Sequence, residues 1–164
     1  MTSKFHQLFS VLTLVLAASF AASALAHGTD QEQIQHALMA TFDKPGNPLK
    51  VAPVVVQGDY AVAGWIQGDK GGRALLQKTK NEWQISVCAG DGLIQAKVLE
   101  TTGMPAAKAK ALADAVVAAE SKLTAHQRHL FGSFEGMMKV EAGQASHGQP
   151  AAHGAHGAHT APAK

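Results

Sequence analysis

Cysteine is almost absent from this chain, in which Cys88 is the single example among 164 residues. One cysteine excludes an internal disulfide, so the fold has to be stabilised by packing. Cys88 ends the apolar segment 83–88, where it could serve as a small buried side chain or as a soft metal ligand. Burial is the commoner state of a free cysteine, and we expect it here.

An excess of one charge is also lacking, because 14 Lys and Arg stand against 12 Asp and Glu. Such a balance provides little attraction for polyanions, so we expect no nucleic-acid partner. The sequence contains neither His-Glu-x-x-His nor Gly-x-Ser-x-Gly, and its glycine-rich segment 68–72 lacks the Gly-Lys-Ser/Thr ending of a phosphate-binding loop. We therefore expect segment 68–72 to be a turn, and the protein to have neither enzymatic activity nor an organic cofactor.

The one long apolar run lies at the N-terminus. Lys4 and His6 precede it, and it ends in Ala24-Leu25-Ala26, which puts small side chains three and one positions before a cut after Ala26. This pattern predicts a signal peptide over residues 1–26 and export to the periplasm. A membrane anchor, which needs about 20 apolar residues, is the alternative. The small-residue ending favours cleavage, so we expect no stable membrane insertion of the mature chain.

The rest of the chain is long enough for one domain with a modest core. We predict that this domain spans residues 27–142. From residue 143 to 164 the composition is dominated by Ala, Gly, His, Pro and Ser, which cannot bury enough apolar surface to fold. This last segment is therefore predicted to be a disordered, histidine-rich tail.

Secondary structure can be predicted for most of the domain. Thr29 and Glu32 match a capping box, Ile34 and Leu38 lie at helical spacing, and Pro45 ends the first helix. The pattern changes from Val51, and four β-prone segments follow at 54–56, 60–66, 73–78 and 83–88, separated by short connections. Such segments predict a four-stranded antiparallel meander.

The chain then becomes rich in alanine. A short helix is predicted over 93–100, and a longer one begins at Pro105 with an apolar stripe of Ala109, Leu112, Ala113, Val116, Ala119 and Leu123. We therefore predict an α+β fold in which the N-terminal helix and the Ala-rich helix cover one face of the sheet. The analogy is with cystatin-like or nuclear-transport-factor-like folds.

Histidine is concentrated in the tail, at His147, His153, His156 and His159. Small residues separate the last three, and imidazole is a preferred ligand of divalent copper, zinc and nickel. A flexible ligand set loses conformational freedom when it chelates, so this pattern predicts loose collection or buffering of metal. The alternative is a tail whose composition has no function.

A second metal site is predicted at the other end of the mature chain. Cleavage after Ala26 makes His27 the first residue, whose α-amine and imidazole can together chelate Cu(II). Further ligands would be needed, with His36, His126 and His129 as candidates, although solvated positions are the simpler interpretation of these three. Met137 and Met138, also soft ligands, are expected to fill the core beside a short strand through Val140.

Several blocks of sequence form a recognisable combination. They are Phe42-Asp43-Lys44-Pro45-Gly46, the segments 53–56, 63–69, 71–76 and 83–92, and Phe134-Glu135-Gly136 after the Ala-rich helix. Together they resemble the proteobacterial family called copper uptake system-associated proteins. The resemblance implies an envelope protein whose partners are membrane or periplasmic proteins of copper import. The ligand hypotheses rest on the histidines alone.

We therefore predict a non-enzymatic periplasmic protein that binds copper, or passes it on, through His27 and the tail histidines. The principal alternative is a binding module whose sheet, with Trp65 or Trp83, contacts a protein partner or small ligand. A Cys88-dependent redox enzyme is a third class.

Overall fold

The computed structural model describes residues 28–140, and the elements below belong to that part of the chain. Four α-helices are formed, α1 (Asp30–Phe42), α2 (Ala96–Glu100), α3 (Ala106–Glu120) and α4 (Ala125–Gly132), and a short 3-10 helix (Asp91–Ile94) precedes α2. Five strands are formed, β1 (Lys50–Gln57), β2 (Tyr60–Gln67), β3 (Lys70–Thr79), β4 (Glu82–Ala89) and β5 (Met137–Lys139). Among residues 28–140, no helix has the length and apolar character needed to cross a bilayer. The predicted signal peptide and histidine-rich tail lie outside the described residues.

Helix α1 begins as the sequence predicts. The Thr29 backbone N–H donates to the Glu32 carboxylate at 2.7 Å, and the Glu32 backbone N–H donates to the Thr29 hydroxyl at 3.3 Å. These two bonds satisfy backbone amides that have no partner within the helix. Helix α4 starts with an equivalent pair, Thr124 and Gln127.

The five strands form one antiparallel sheet in the order β1-β2-β3-β4-β5. Between β3 and β4, Lys80 and Asn81 both have positive φ, which is the backbone geometry of a two-residue hairpin turn. The predicted α+β class and meander are confirmed. The sheet is wider than the four strands predicted, since β5 adds to the free edge of β4.

Helices cover both faces of this sheet. Successive side chains along a strand point in opposite directions, so each central strand contributes to a core on either face. Val62, Leu75 and Val87 lie in one core together with α2 and α3. Ala63 and Cys88, which alternate with them, lie in a second core against α1. The prediction that both helices cover one face is therefore wrong. The central strands are apolar on both sides, and one-sided packing would leave an apolar face in water.

The glycine-rich segment 68–72 also differs from its prediction. Only its beginning turns, at Gly68, while Gly71 and Gly72 are buried residues of β3. A Cβ on Gly71 would lie 2.9 Å from the carbonyl oxygen of Leu130, and one on Gly72 would lie 2.7 Å from the Trp65 ring. These glycines let the last turn of α4 and the chain after it lie close to the end of the sheet as they cross it.

That crossing brings the C-terminal part of the domain from one face to the other. Phe131 contacts Gly64 on the α3 side. Phe134 packs edge-on against Trp65 in the α1-side core, with ring centroids 5.8 Å apart. The chain then enters β5, whose Met138 pairs with Cys88 of β4.

Gly64→Ala tests the crossing. The added Cβ would lie 2.6 Å from the Phe131 ring and 3.1 Å from a β1 carbonyl oxygen. We expect overpacking to lower the free energy of unfolding by about 1–3 kcal/mol, measured by urea denaturation. Gly92→Ala is the matched control, since its Cβ would meet only a Val98 methyl group at 3.3 Å. Equal stability of the two variants would contradict the packing of Phe131 on β2.

Candidate functional site

The predicted metal ligands lie outside the described part of the chain. His27 lies just before it, and His147, His153, His156 and His159 lie beyond it. Their candidacy as ligands therefore remains a prediction from the sequence.

The three histidines within residues 28–140 are all exposed and fall on two different helices. His36 is on α1, whereas His126 and His129 are on α4, three residues apart. Among residues 28–140, no group of three or more His, Cys, Asp and Glu side chains is arranged to hold a metal ion. His126 and His129 thus form a pair of neighbours on a solvated helix face.

His36 shares a groove with the start of the described chain. The groove, about 860 Å³, runs between α1 and the β3–β4 hairpin, and Gly28 and Glu32 line it together with His36. Gly28 directly follows His27 in the sequence. The positions of His36, His126 and His129, the further ligands predicted for a His27 site, can therefore be compared with that of Gly28. His36 lines the groove that Gly28 also lines, whereas His126 and His129 are exposed on α4, a helix that packs against β2 and β3.

An aspartate at the start of α1 fixes one wall of this groove. The Asp30 carboxylate accepts from Lys78 Nζ at 2.7 Å and from Trp83 Nε1 at 3.0 Å. The hydrogen bond from Lys78, followed by that from Trp83, lowers the pKa of Asp30 below its usual value. This contact attaches the helix to the β3–β4 hairpin.

The tryptophans proposed for ligand contact serve the interior. Trp83 is buried and its indole N–H is held by Asp30. Trp65 is half-buried against Phe134. Trp83 contributes a small exposed fraction to the lining of the groove, and part of the Trp65 side chain stays exposed. The binding-module alternative remains a prediction from the sequence.

The most deeply buried charges of the described residues were missed by sequence reasoning. Arg73 of β3 and Glu120 of α3 are 2% and 4% exposed. The Nε and Nη2 atoms of Arg73 each donate to one Glu120 oxygen at 2.7 Å, and Nη1 donates to Asp91 at 3.1 Å. The Phe131 ring packs 5.6 Å from the guanidinium carbon.

This arrangement keeps the guanidinium charged. Burial alone would lower the pKa of Arg73, but the hydrogen bonds and charge of Glu120, with a smaller contribution from Asp91, raise it above its usual value. A two-bond pairing of this kind satisfies the geometry of both groups. It joins α3 to the sheet and has no open position for a substrate, so we assign it a structural role.

A signal for this pair was present in the sequence. Glu120 follows Val116 by four residues and so continues the apolar stripe of α3. Arg73 stands alone among small and apolar residues in β3. A charge in an apolar stripe requires a partner, and the two together could have been matched.

Cys88 is a packed side chain, as expected from its sequence context. It is 2% exposed, and burial raises the pKa of its thiol to about 11. The reactive and metal-binding form of cysteine is the thiolate, which is therefore scarce here at neutral pH. This burial weighs against the Cys88-dependent redox class.

The two neighbouring methionines do not fill the core as expected. Met137 and Met138 are 43% and 46% exposed. They belong to the edge strand β5, which has no further strand beside it in residues 28–140. Because they are consecutive in a strand, they point to opposite faces and cannot bind one metal ion from the same side.

A second concavity, about 340 Å³, lies on the α3 side of the sheet near β5. Its lining combines apolar side chains of the strands with hydroxyl, amide and ammonium groups. It contains no histidine or cysteine among the described lining residues, so its chemistry differs from that of the predicted metal ligands.

Comparison of the chain with protein-family models, curated proteins and solved structures gives no match.

The structural role of the buried pair can be tested with Glu120→Gln. The change leaves the Arg73 charge buried without its main partner, so we expect a loss of about 3–5 kcal/mol in the free energy of unfolding. Asp114→Asn breaks the exposed Lys110–Asp114 pair on the same helix and should change stability by about 0.5 kcal/mol or less. Urea denaturation measures both, and similar small effects would contradict the structural role of Glu120.

Thiol reactivity provides a test of the Cys88 environment. With iodoacetamide at about pH 8, the folded protein should remain unmodified, whereas protein in denaturing urea should gain one carbamidomethyl group. Intact mass spectrometry measures the difference. Rapid labelling of the folded protein would contradict the burial of Cys88.

Proposed function

We propose that this chain is a non-enzymatic, periplasmic copper-handling protein that binds copper or passes it on through histidine imidazoles. The ligands proposed are His147, His153, His156 and His159, with His27 as a second site. The observation that carries the proposal is the close spacing of the last three histidines, with only glycine and alanine between them.

The described residues are consistent with this division of roles. The buried cysteine is protonated at neutral pH, and the buried arginine is fully engaged by carboxylates. No side-chain nitrogen or oxygen buried within residues 28–140 is left without a partner. In this proposal the folded part is a stable carrier whose buried polar groups already have hydrogen-bond partners, and the histidines bind the metal.

The site proposed at His27 gains one specific candidate partner. His36 lines the groove that starts at Gly28, so its imidazole is the further ligand that we favour for copper held by the amine and imidazole of His27. The exposed pair His126 and His129 is not needed by this arrangement.

The resemblance of the sequence blocks to copper uptake system-associated proteins supports both the metal and the class of partner. We propose that the folded domain docks onto membrane or periplasmic proteins of copper import. The analogy with cystatin-like or nuclear-transport-factor-like folds rests on α1 followed by sequential antiparallel strands. The layer formed by α2 and α3 is an addition to that arrangement.

Cu(II) titration of the purified, untagged protein beginning at His27, with electron paramagnetic resonance, tests this function. A variant with Asn at the four tail histidines keeps the tail's length and polarity. We expect it to lose most nitrogen-ligated copper. The affinity of the unaltered chain should fall as pH drops below about 6.5, because protons compete with metal for imidazole.

The two proposed sites are separated by additional variants. His27→Asn removes the imidazole of the terminal chelate, and His36→Asn removes the favoured partner. Both should eliminate the copper signal that survives in the tail variant, whereas the control His126→Asn should leave it unchanged. Absence of copper binding by the unaltered chain, or binding independent of all these histidines, would refute the proposal.

A further inference from the structure

The concavity on the α3 side of the sheet is organised by strand register. Leu75, Val87 and Lys139 are paired across β3, β4 and β5, so their side chains form one row on the same face. Neighbouring strands lie about 4.8 Å apart, which spaces the row across the floor of the concavity. Leu75 and Val87 make this floor apolar, and Lys139 places a cation at its edge-strand end.

An irregularity in β4 adds a polar group to that floor. Pairing shifts between Leu75 and Leu76, whose partners are Val87 and Ile85, so Ser86 is left as an extra residue. A bulge of this type lets Ser86 and Val87 both face the concavity, instead of alternating between the two sides.

The serine and threonine hydroxyl groups around the concavity each donate their proton to a backbone carbonyl. Ser86 donates to the Leu75 carbonyl at 3.0 Å, Thr101 to that of Val98 at 2.7 Å and Thr102 to that of Leu99 at 2.6 Å. Each oxygen can therefore offer only acceptor capacity to anything bound there. A bound molecule has to supply a donor to use them.

The other polar residues around the concavity are hydrogen-bond donors, so a bound molecule needs an acceptor to use them. Lys139 carries only donors, and the Gln77 amide and Tyr60 hydroxyl can also donate. Among the described lining residues, Lys139 is the one charged side chain and no carboxylate is present. A second cation, Lys108 Nζ, lies 5.5 Å from the centre of the Tyr60 ring. The field at this site therefore favours an anion.

We propose that this concavity is a binding site for a small organic acid that carries a hydroxyl or amino group on an apolar body. Its carboxylate binds Lys139, its apolar part covers Leu75 and Val87, and its donor group reaches the acceptor oxygens of Ser86, Thr101 or Thr102. The volume of about 340 Å³ falls in the range of small-molecule sites. This site uses none of the proposed copper ligands and stands independently of the proposed function.

The test uses the full chain from residue 27 and four probes: lactate, 2-hydroxyisocaproate, leucine and 4-hydroxybenzoate. Backbone amide resonances are followed by two-dimensional NMR during titration. We expect at least one probe to bind saturably, with Kd of about 1 mM for a molecule of this size, and with the largest shifts at residues that line the concavity.

The contact between Lys139 and the carboxylate is tested by changing the protein side chain and, separately, the acid group of the ligand. Lys139→Gln should weaken the best acid roughly tenfold, but should not weaken its uncharged alcohol analogue. Lys80→Gln, in the hairpin turn on the other groove, is the control and should leave both affinities unchanged. An effect on the acid alone separates loss of the contact from a general change in folding.

Three results would overturn the assignment. They are absence of saturable binding by all four acids, saturable shifts confined to residues away from the concavity, and equal affinity of the best acid for the unaltered chain and Lys139→Gln. None of these outcomes bears on copper binding by the histidines, so the two proposals fail independently.

Discussion

A guanidinium group buried away from water is tolerated only when carboxylates replace its hydration, and this requirement organises the fold around Arg73. Arg73 belongs to the central strand β3, and its main partner, Glu120, lies 47 residues later at the end of α3. The pair therefore fixes where the Ala-rich helix ends on the sheet. Asp91, at the turn after β4, and Phe131 of α4 complete the surroundings of the same group.

The position of this pair explains why the domain has two cores. With α3 held on one face, the alternate side chains of the central strands remain apolar on the other, and α1 covers them. The two layers are joined at the end of the sheet, where the last turn of α4 and the chain after it pass over Gly71 and Gly90. A Cβ on Gly90 would lie 2.5 Å from the Phe134 carbonyl oxygen, so the passage requires glycine.

Function and stability are carried by different residues in this picture. The groups that are deeply buried within residues 28–140, Arg73, Glu120 and Cys88, are engaged in packing and pairing. Apart from the exposed His36 of α1, the histidines proposed for copper belong to segments flanking those residues, and the acid-binding site proposed on the sheet uses the edge strand β5. A stable body with chemistry at its margins can change ligands without changing its core.

The sequence by itself determined the local features. Capping residues set the start of α1, hairpin-forming turns and β-prone segments set the four-stranded meander, and the spacing of Ala109, Leu112 and Val116 set the buried face of α3. These features depend on neighbours within a few residues, and local physical chemistry is readable in sequence order. The single cysteine was likewise expected to be buried, and it is.

Only the tertiary structure decided which elements meet. It put the two helical layers on opposite faces of a sheet whose central strands are apolar on both sides. It paired Arg73 with Glu120, moved Gly71 and Gly72 from a turn into a strand, and left Met137 and Met138 exposed. Each outcome depends on contacts between residues far apart in the chain, whose energies no local pattern contains.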